Sequence, residues 1–221
     1  MTNRKISKTD GGFDMKNMKW LTAALLMGCV VSAAEQSKEA LIFGDTFDTP
    51  AALSEKWSFD RGVKKENGSV VMPPGSKLYM KQKMPDEFQL SVRIKLTPVP
   101  SVARAGADWV GIVTFGPFFI LRRDGLTQMI YKTPGEKKSK GLNLKIDGFE
   151  LDKYYTITVI RERTGADQPG SRWTYLLDGK KVGEAVTANP PEKAKLSIWI
   201  VGKSIGAAID DFSISEIKKE K

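Results

Sequence analysis

FQLSVRIKL, residues 88–96, alternates without a break: Phe88, Leu90, Val92, Ile94 and Leu96 are apolar, while Gln89, Ser91, Arg93 and Lys95 are polar. Successive side chains of an extended chain point to opposite sides, so this pattern specifies a strand with one buried face and one wet face. Pro98 and Pro100 end it, because proline has no N–H to give to a ladder. Strand-like runs lie on either side at short spacing: 41–47, 69–72 and 78–82 before it, then 109–115, 118–122, 126–131, 154–161, 173–177, 196–201 and 208–217 after it. Between them, Asp124-Gly125 and Asp178-Gly179 read as two-residue type I′ turns, which need positive φ at both positions, and each should join antiparallel neighbours. Only 51–56 offers a helical turn, and no stretch after residue 34 sustains a 3.6-residue period. The pattern predicts an all-β fold, a two-sheet antiparallel β-sandwich.

The chain before these strands has another character. Arg4, Lys5, Lys8, Lys16 and Lys19 lead into an apolar run from Leu21 to Val31, followed by Ser32-Ala33-Ala34. Eleven apolar residues cannot cross ~30 Å of hydrocarbon as a helix, and Ser-x-Ala is what a signal peptidase accepts. The expectation is a signal peptide over 1–34, with its basic N-terminal extension, cleaved after Ala34, and one β-sandwich domain over 35–221. The long basic leader also allows a start at Met15 or Met18. Leu26-Met27-Gly28-Cys29 offers a second reading, a lipobox with acylation and an envelope anchor at Cys29. The mature chain would be secreted, periplasmic or lipid-anchored.

Absences narrow the chemistry. The chain has no His, and its one Cys is Cys29. Zinc sites built on His or Cys, Cys nucleophiles and His-dependent triads are therefore excluded from residues 35–221, and so are disulfides. The leader holds five of 35 Lys+Arg and two of 26 Asp+Glu, which takes the net charge from +9 to +6. That excess is spread over 137–140, 180–181 and 218–221 without interleaved aromatics, unlike a nucleic-acid surface.

The stretch YYTITVIRERTGADQPGSRWTYLLDGKKVGE, residues 154–184, resembles the core hairpin of laminin G-like and concanavalin A-like lectin/glucanase domains. Phe43-Gly44-Asp45-Thr46-Phe47-Asp48 with Trp57 resembles the opening strand of that superfamily, and Ile209 to Ile214 its closing strand. The resemblance implies a two-sheet jelly roll whose first and last strands are neighbours. Phe43, Phe47, Trp57, Phe212 and Ile214 are explained first by core packing.

Glycoside hydrolysis needs two carboxylates about 5–10 Å apart. The glucanases of this superfamily carry them as Glu-x-Asp-x-x-Glu, which does not occur here. Asp210 and Glu216 share a face by parity but stand six residues apart, ~20 Å along a strand. Asp45, Asp48, Asp210 and Asp211 would meet if the terminal strands pair, and would then suit a structural Ca²⁺; the other reading is carboxylates facing solvent beside turns. Sugar binding asks for exposed aromatics with polar neighbours. Trp109, Tyr131, Trp173 and Trp199 are the aromatic candidates, with Arg93, Arg122, Arg123, Gln128 and Arg161 beside them, and core packing is the competing role of each aromatic. Trp109 stands out because it opens a strand after the small-residue segment 101–107. Arg122-Arg123 could meet an acidic glycan or be a solvated hairpin tip. The leading expectation is a secreted, non-catalytic module binding a polysaccharide or cell-surface glycan. The alternatives are a glycoside hydrolase similar to the keto-disaccharide hydrolases and a structural envelope protein.

Overall fold

A computed structural model describes residues 40–48, 53–100, 108–114, 116–165, 169–189 and 195–217, all within the compact unit Ser37–Lys221. The leader with Cys29 and the segment 101–107 lie outside the described residues. Fifteen strands follow in order: β1 (Ala40–Asp45), β2 (Trp57–Phe59), β3 (Lys64–Glu66), β4 (Ser69–Met72), β5 (Lys77–Met80), β6 (Phe88–Pro98), β7 (Trp109–Val113), β8 (Phe118–Arg122), β9 (Leu126–Tyr131), β10 (Lys140–Lys145), β11 (Tyr154–Arg163), β12 (Ser171–Leu177), β13 (Lys180–Thr187), β14 (Ser197–Val201) and β15 (Ile205–Glu216). One helical turn, α1 (Leu53–Lys56), precedes β2, within the expected 51–56.

The strands form two antiparallel sheets. An eight-stranded sheet runs β13-β12-β11-β6-β15-β4-β3, with β1 also on β15; a seven-stranded sheet runs β10-β9-β8-β7-β14-β5-β2. The alternation of 88–96 does what it predicts: Phe88, Leu90, Val92, Ile94 and Leu96 are all buried between the sheets. The terminal strands are neighbours, with Asp45 opposite Phe212 and Ala40 opposite Glu216. Two aromatic groups fill the core. Phe43, Trp57 and Phe212 meet edge to face at 4.9–5.6 Å. Phe88, Phe119 and Tyr175 surround Trp173 or one another at 5.4–6.0 Å. Such T-shaped pairs add to the area term by putting positive ring edges against negative faces.

Three expectations need correction. The Asp178-Gly179 turn has positive φ at both residues, 47° and 75°, as a type I′ turn requires. In the other hairpin only Gly125 does (76°), so β8 and β9 are joined by three residues, Arg123 to Gly125, with Gly125 N–H donating to Arg122 O at 3.0 Å. A type I turn closed by a left-handed glycine is the usual three-residue alternative. The second correction concerns β15, whose register against β6 shifts between Asp210 and Ser213. This bulge places Ile209 and Phe212 both inward, so Asp210 and Glu216 do not share a face. The third concerns β2, β3 and β10, which were not expected, whereas β13 is the antiparallel neighbour that the Asp178-Gly179 turn calls for. β2, β3, β10 and β13 are all the outermost members of their sheets. The lysine-rich sequences of β3 and β10, KKE and KGLNLK, are what an edge uses to resist pairing with another chain, and carry little apolar signal, while β2 has only the three residues WSF.

Candidate functional site

The outward-facing positions of the seven-stranded sheet can be read from its registers. One row crosses Lys77, Trp199, Gly111, Ile120, Gln128 and Asn143. The next crosses Tyr79, Ser197, Val113, Phe118 and Ile130. Trp109 begins β7 on this side, opposite Arg122 on β8 and Val201 on β14. Inward neighbours Leu78, Val110, Ile112, Phe119, Leu121, Ile198 and Ile200 belong to the core. Val113 and Ile120 are also buried, yet they stand outside the inter-sheet core, so the outer face carries an apolar layer of its own.

Tyr79, Phe118 and Trp199 are half-buried and wall a cavity of about 460 Å³, completed by Val113, Thr114, Ser197, Leu196 and Lys195. Phe118 and Trp199 sit 6.4 Å apart, tilted by 48°. Lys77 Nζ lies 4.4 Å from the centre of the Trp199 ring. Beyond Trp199, Gly111 has no side chain, and a Cβ there would come within 2.6 Å of Phe119 O and 3.2 Å of Trp109 Cζ3. The glycine thus lets the Trp109 indole lie over the strand. Gln128 donates to Asn143 Oδ1 at 2.8 Å. Arg122 donates to Asp124 at 2.7 Å. Burial works to raise the Asp124 pKa, but the Leu126 N–H and the Arg122 guanidinium outweigh it and hold this carboxyl below its ordinary value.

The structure thus gathers Trp109, Trp199, Arg122 and Gln128 on one face. It separates the others. Trp173 is 1% exposed in the core, with its indole N–H donating to Thr187 Oγ1 at 2.9 Å, so it is removed as a ligand platform. Tyr131 points to the inner side of β9 and packs on the rim of the core. Arg123 leaves the face to donate to Ser204 O at 2.9 Å. Arg93 lies on the eight-stranded sheet, 4.7 Å over the Tyr154 ring, and Arg161 is buried 5.5 Å from the Trp173 ring. Tyr79, Phe118, Lys77 and Lys195 were missed. Parity in KLYM, with Leu78 and Met80 inside, does point Lys77 and Tyr79 outward. The run Phe118-Phe119-Ile120-Leu121 has no parity to read.

The four aspartates do not assemble a calcium site. Asp45 turns inward, accepting from Trp57 Nε1 at 3.0 Å and Phe47 N at 3.1 Å. Arg93 stands with Asp210 and Asp211, at 3.4 and 2.8 Å, and supplies the positive charge an ion would have brought. Asp48 lies near Asp210, whose pKa is raised by burial and by the charges of Asp211 and Asp48. Among the described residues no group of three or more acidic, His or Cys side chains is placed to hold a metal ion.

No family model and no curated protein sequence matches the chain. Solved structures do. A structure reported for endo-acting O-glycanases, which prominent members of the human gut microbiota express to initiate mucin breakdown, is similar with TM-score 0.58 and 15% identity over 80% of this chain and 100% of that one. The metal-free carbohydrate recognition domain of Emp46p gives TM-score 0.57 and 10% identity, covering 78% and 95%. The carbohydrate binding module CBM66 from Bacillus subtilis gives 0.51 and 11%, covering 73% and 96%. With its two antiparallel sheets and paired terminal strands, the chain has the concanavalin A-like jelly-roll fold.

Proposed function

We propose that this chain is an exported, non-catalytic carbohydrate-binding module whose sugar platform is the outer face of the seven-stranded sheet. The observation that carries the reading is the cavity walled by Tyr79, Phe118 and Trp199, with Ser197, Thr114 and Lys195 among the polar residues that line it. Aromatic faces receive the apolar C–H side of a pyranose while hydroxyl and ammonium groups meet its oxygens, the mix that small-ligand sites use. The names of two structural neighbours, a carbohydrate recognition domain and a carbohydrate binding module, support the same ligand class. The absence of a carboxylate among the described residues lining the cavity supports a role in binding rather than hydrolysis.

Affinity electrophoresis of the processed chain through a panel of polysaccharides tests the binding half. At least one polymer is expected to retard it, and Trp199→Ala to weaken that binding by roughly 10–100-fold, the loss of one buried aromatic contact. Retardation by none of them, or full retention in Trp199→Ala with unchanged circular dichroism, overturns the reading. Release of reducing ends from the bound polymer would move it to a glycoside hydrolase. N-terminal sequencing tests the export half, with Glu35 expected as the first residue of the mature protein; a chain still carrying residues 1–34 would overturn it.

A further inference from the structure

We infer that the carbohydrate this face takes is anionic, a polymer of uronate or sulfated sugars; the inference rests on the proposed function. It comes from the cations at the cavity and the unpartnered donors on the same face. Among the described residues, Trp199 Nε1 and Arg122 Nε are the buried side-chain nitrogens that lack a hydrogen-bond partner, and both belong to this face. A shielded donor without an acceptor is destabilising and requires an explanation. Lys77 and Lys195 add two ammonium groups, one over the Trp199 ring and one on the cavity wall. Neither has a carboxylate partner among the described residues.

Acidic and amide acceptors toward the Arg122 end of the face are already committed. Asp124 is held by Arg122, its backbone oxygen takes Lys145 Nζ, and Asn143 Oδ1 is taken by Gln128. A neutral sugar offers hydroxyls, each of which brings a donor along with its acceptor. A carboxylate or sulfate is acceptor-only, and its bonds to ammonium and guanidinium groups are about twice as strong as neutral ones. Lys77 is half-buried as a residue, and its ammonium stands beside the indole on which a sugar ring would stack. A ring on Trp199 would therefore carry its acidic substituent to a cation already in place.

The test uses polymer pairs that share a backbone and differ in charge: polygalacturonate and its methyl ester, dextran sulfate and dextran, carboxymethylcellulose and hydroxyethylcellulose. Binding to each is measured by affinity electrophoresis at near-physiological salt. At least one anionic member is expected to bind at least about tenfold more tightly than its neutral partner, the equivalent of one charge-assisted hydrogen bond. The double variant Lys77→Gln/Lys195→Gln should erase that preference. Lys65→Gln/Lys180→Gln, on the edge strands β3 and β13 of the other sheet, removes the same charge and should leave it intact. Equal binding of charged and neutral partners overturns the anionic inference while leaving the sugar platform standing. Equal loss in both double variants also overturns it, by showing adsorption to net charge. No binding to any polymer overturns the platform itself.

Discussion

Asp108 ties the start of β7 to the turn between β14 and β15. It is buried just before Trp109, and its Oδ2 accepts from Lys203 N at 3.1 Å, Ser204 N at 2.6 Å and the Ser204 hydroxyl. Gly202 makes that approach feasible: its φ is 112°, and a Cβ would fall 2.0 Å from Asp108 Cγ. Burial acts to raise the Asp108 pKa, but the Ser204 hydroxyl, the two N–H groups and the Arg123 charge together hold it below its ordinary value. The sign follows. A depressed carboxyl contributes stability above its unfolded pKa of about 3.9 and loses it as pH falls through the folded value. We expect Asp108→Ala to cost about 1–3 kcal/mol by leaving buried donors unmet, read from the urea midpoint at neutral pH. Asp108→Asn, whose amide oxygen can still accept, should recover part of this. It should also flatten the loss of stability below about pH 4. An unchanged acid limb in Asp108→Asn would show that other carboxylates carry it.

At the scale of an element, β15 shows why period-two reading needs a register. Ala207 and Ile209 face inward before the bulge, Phe212 and Ile214 after it, and Asp211 absorbs the extra residue at φ 45°. A bulge keeps both halves of a long strand buried on the correct side while increasing its twist. Deleting Ser213, which leaves the extra residue in place, is expected to turn Ile214 outward from its position opposite Leu90, at about 1.5–3 kcal/mol. Asp211→Gly suits the positive φ and gives up only an exposed ion pair to Arg93, so the net change should stay within about 1 kcal/mol. Urea denaturation of the two variants makes the comparison, and similar midpoints would refute the role of the bulge. The unexpected edge strands teach the complementary lesson. β3 has no apolar residue, and it is a strand because Lys64 to Glu66 find partners in Val71 to Ser69.

For the molecule as a whole, the terminal strands meet through β1 and β15, yet what they share is an aromatic plug with Asp45 turned toward it. Arg93 neutralises the acids nearby. The melting temperature should therefore be the same in excess calcium and in excess chelator, since a ligand that binds only the native state raises it by mass action. An upward shift of several degrees in calcium would restore the metal site.

The alternation of 88–96, the two Asp-Gly turns and the shortage of helical periodicity were enough for an all-β sandwich, because burial on one face of a strand writes itself into every second residue. Trp109 could be chosen from its neighbours for the same kind of local reason. The composition of the outer face could not. Trp173 stands between Arg172 and Thr174, and Trp199 between Ile198 and Ile200, and neither setting says which residues lie across from it. That Trp199 meets Lys77 on the neighbouring strand depends on a pairing between segments more than a hundred residues apart, and a linear pattern holds no record of it.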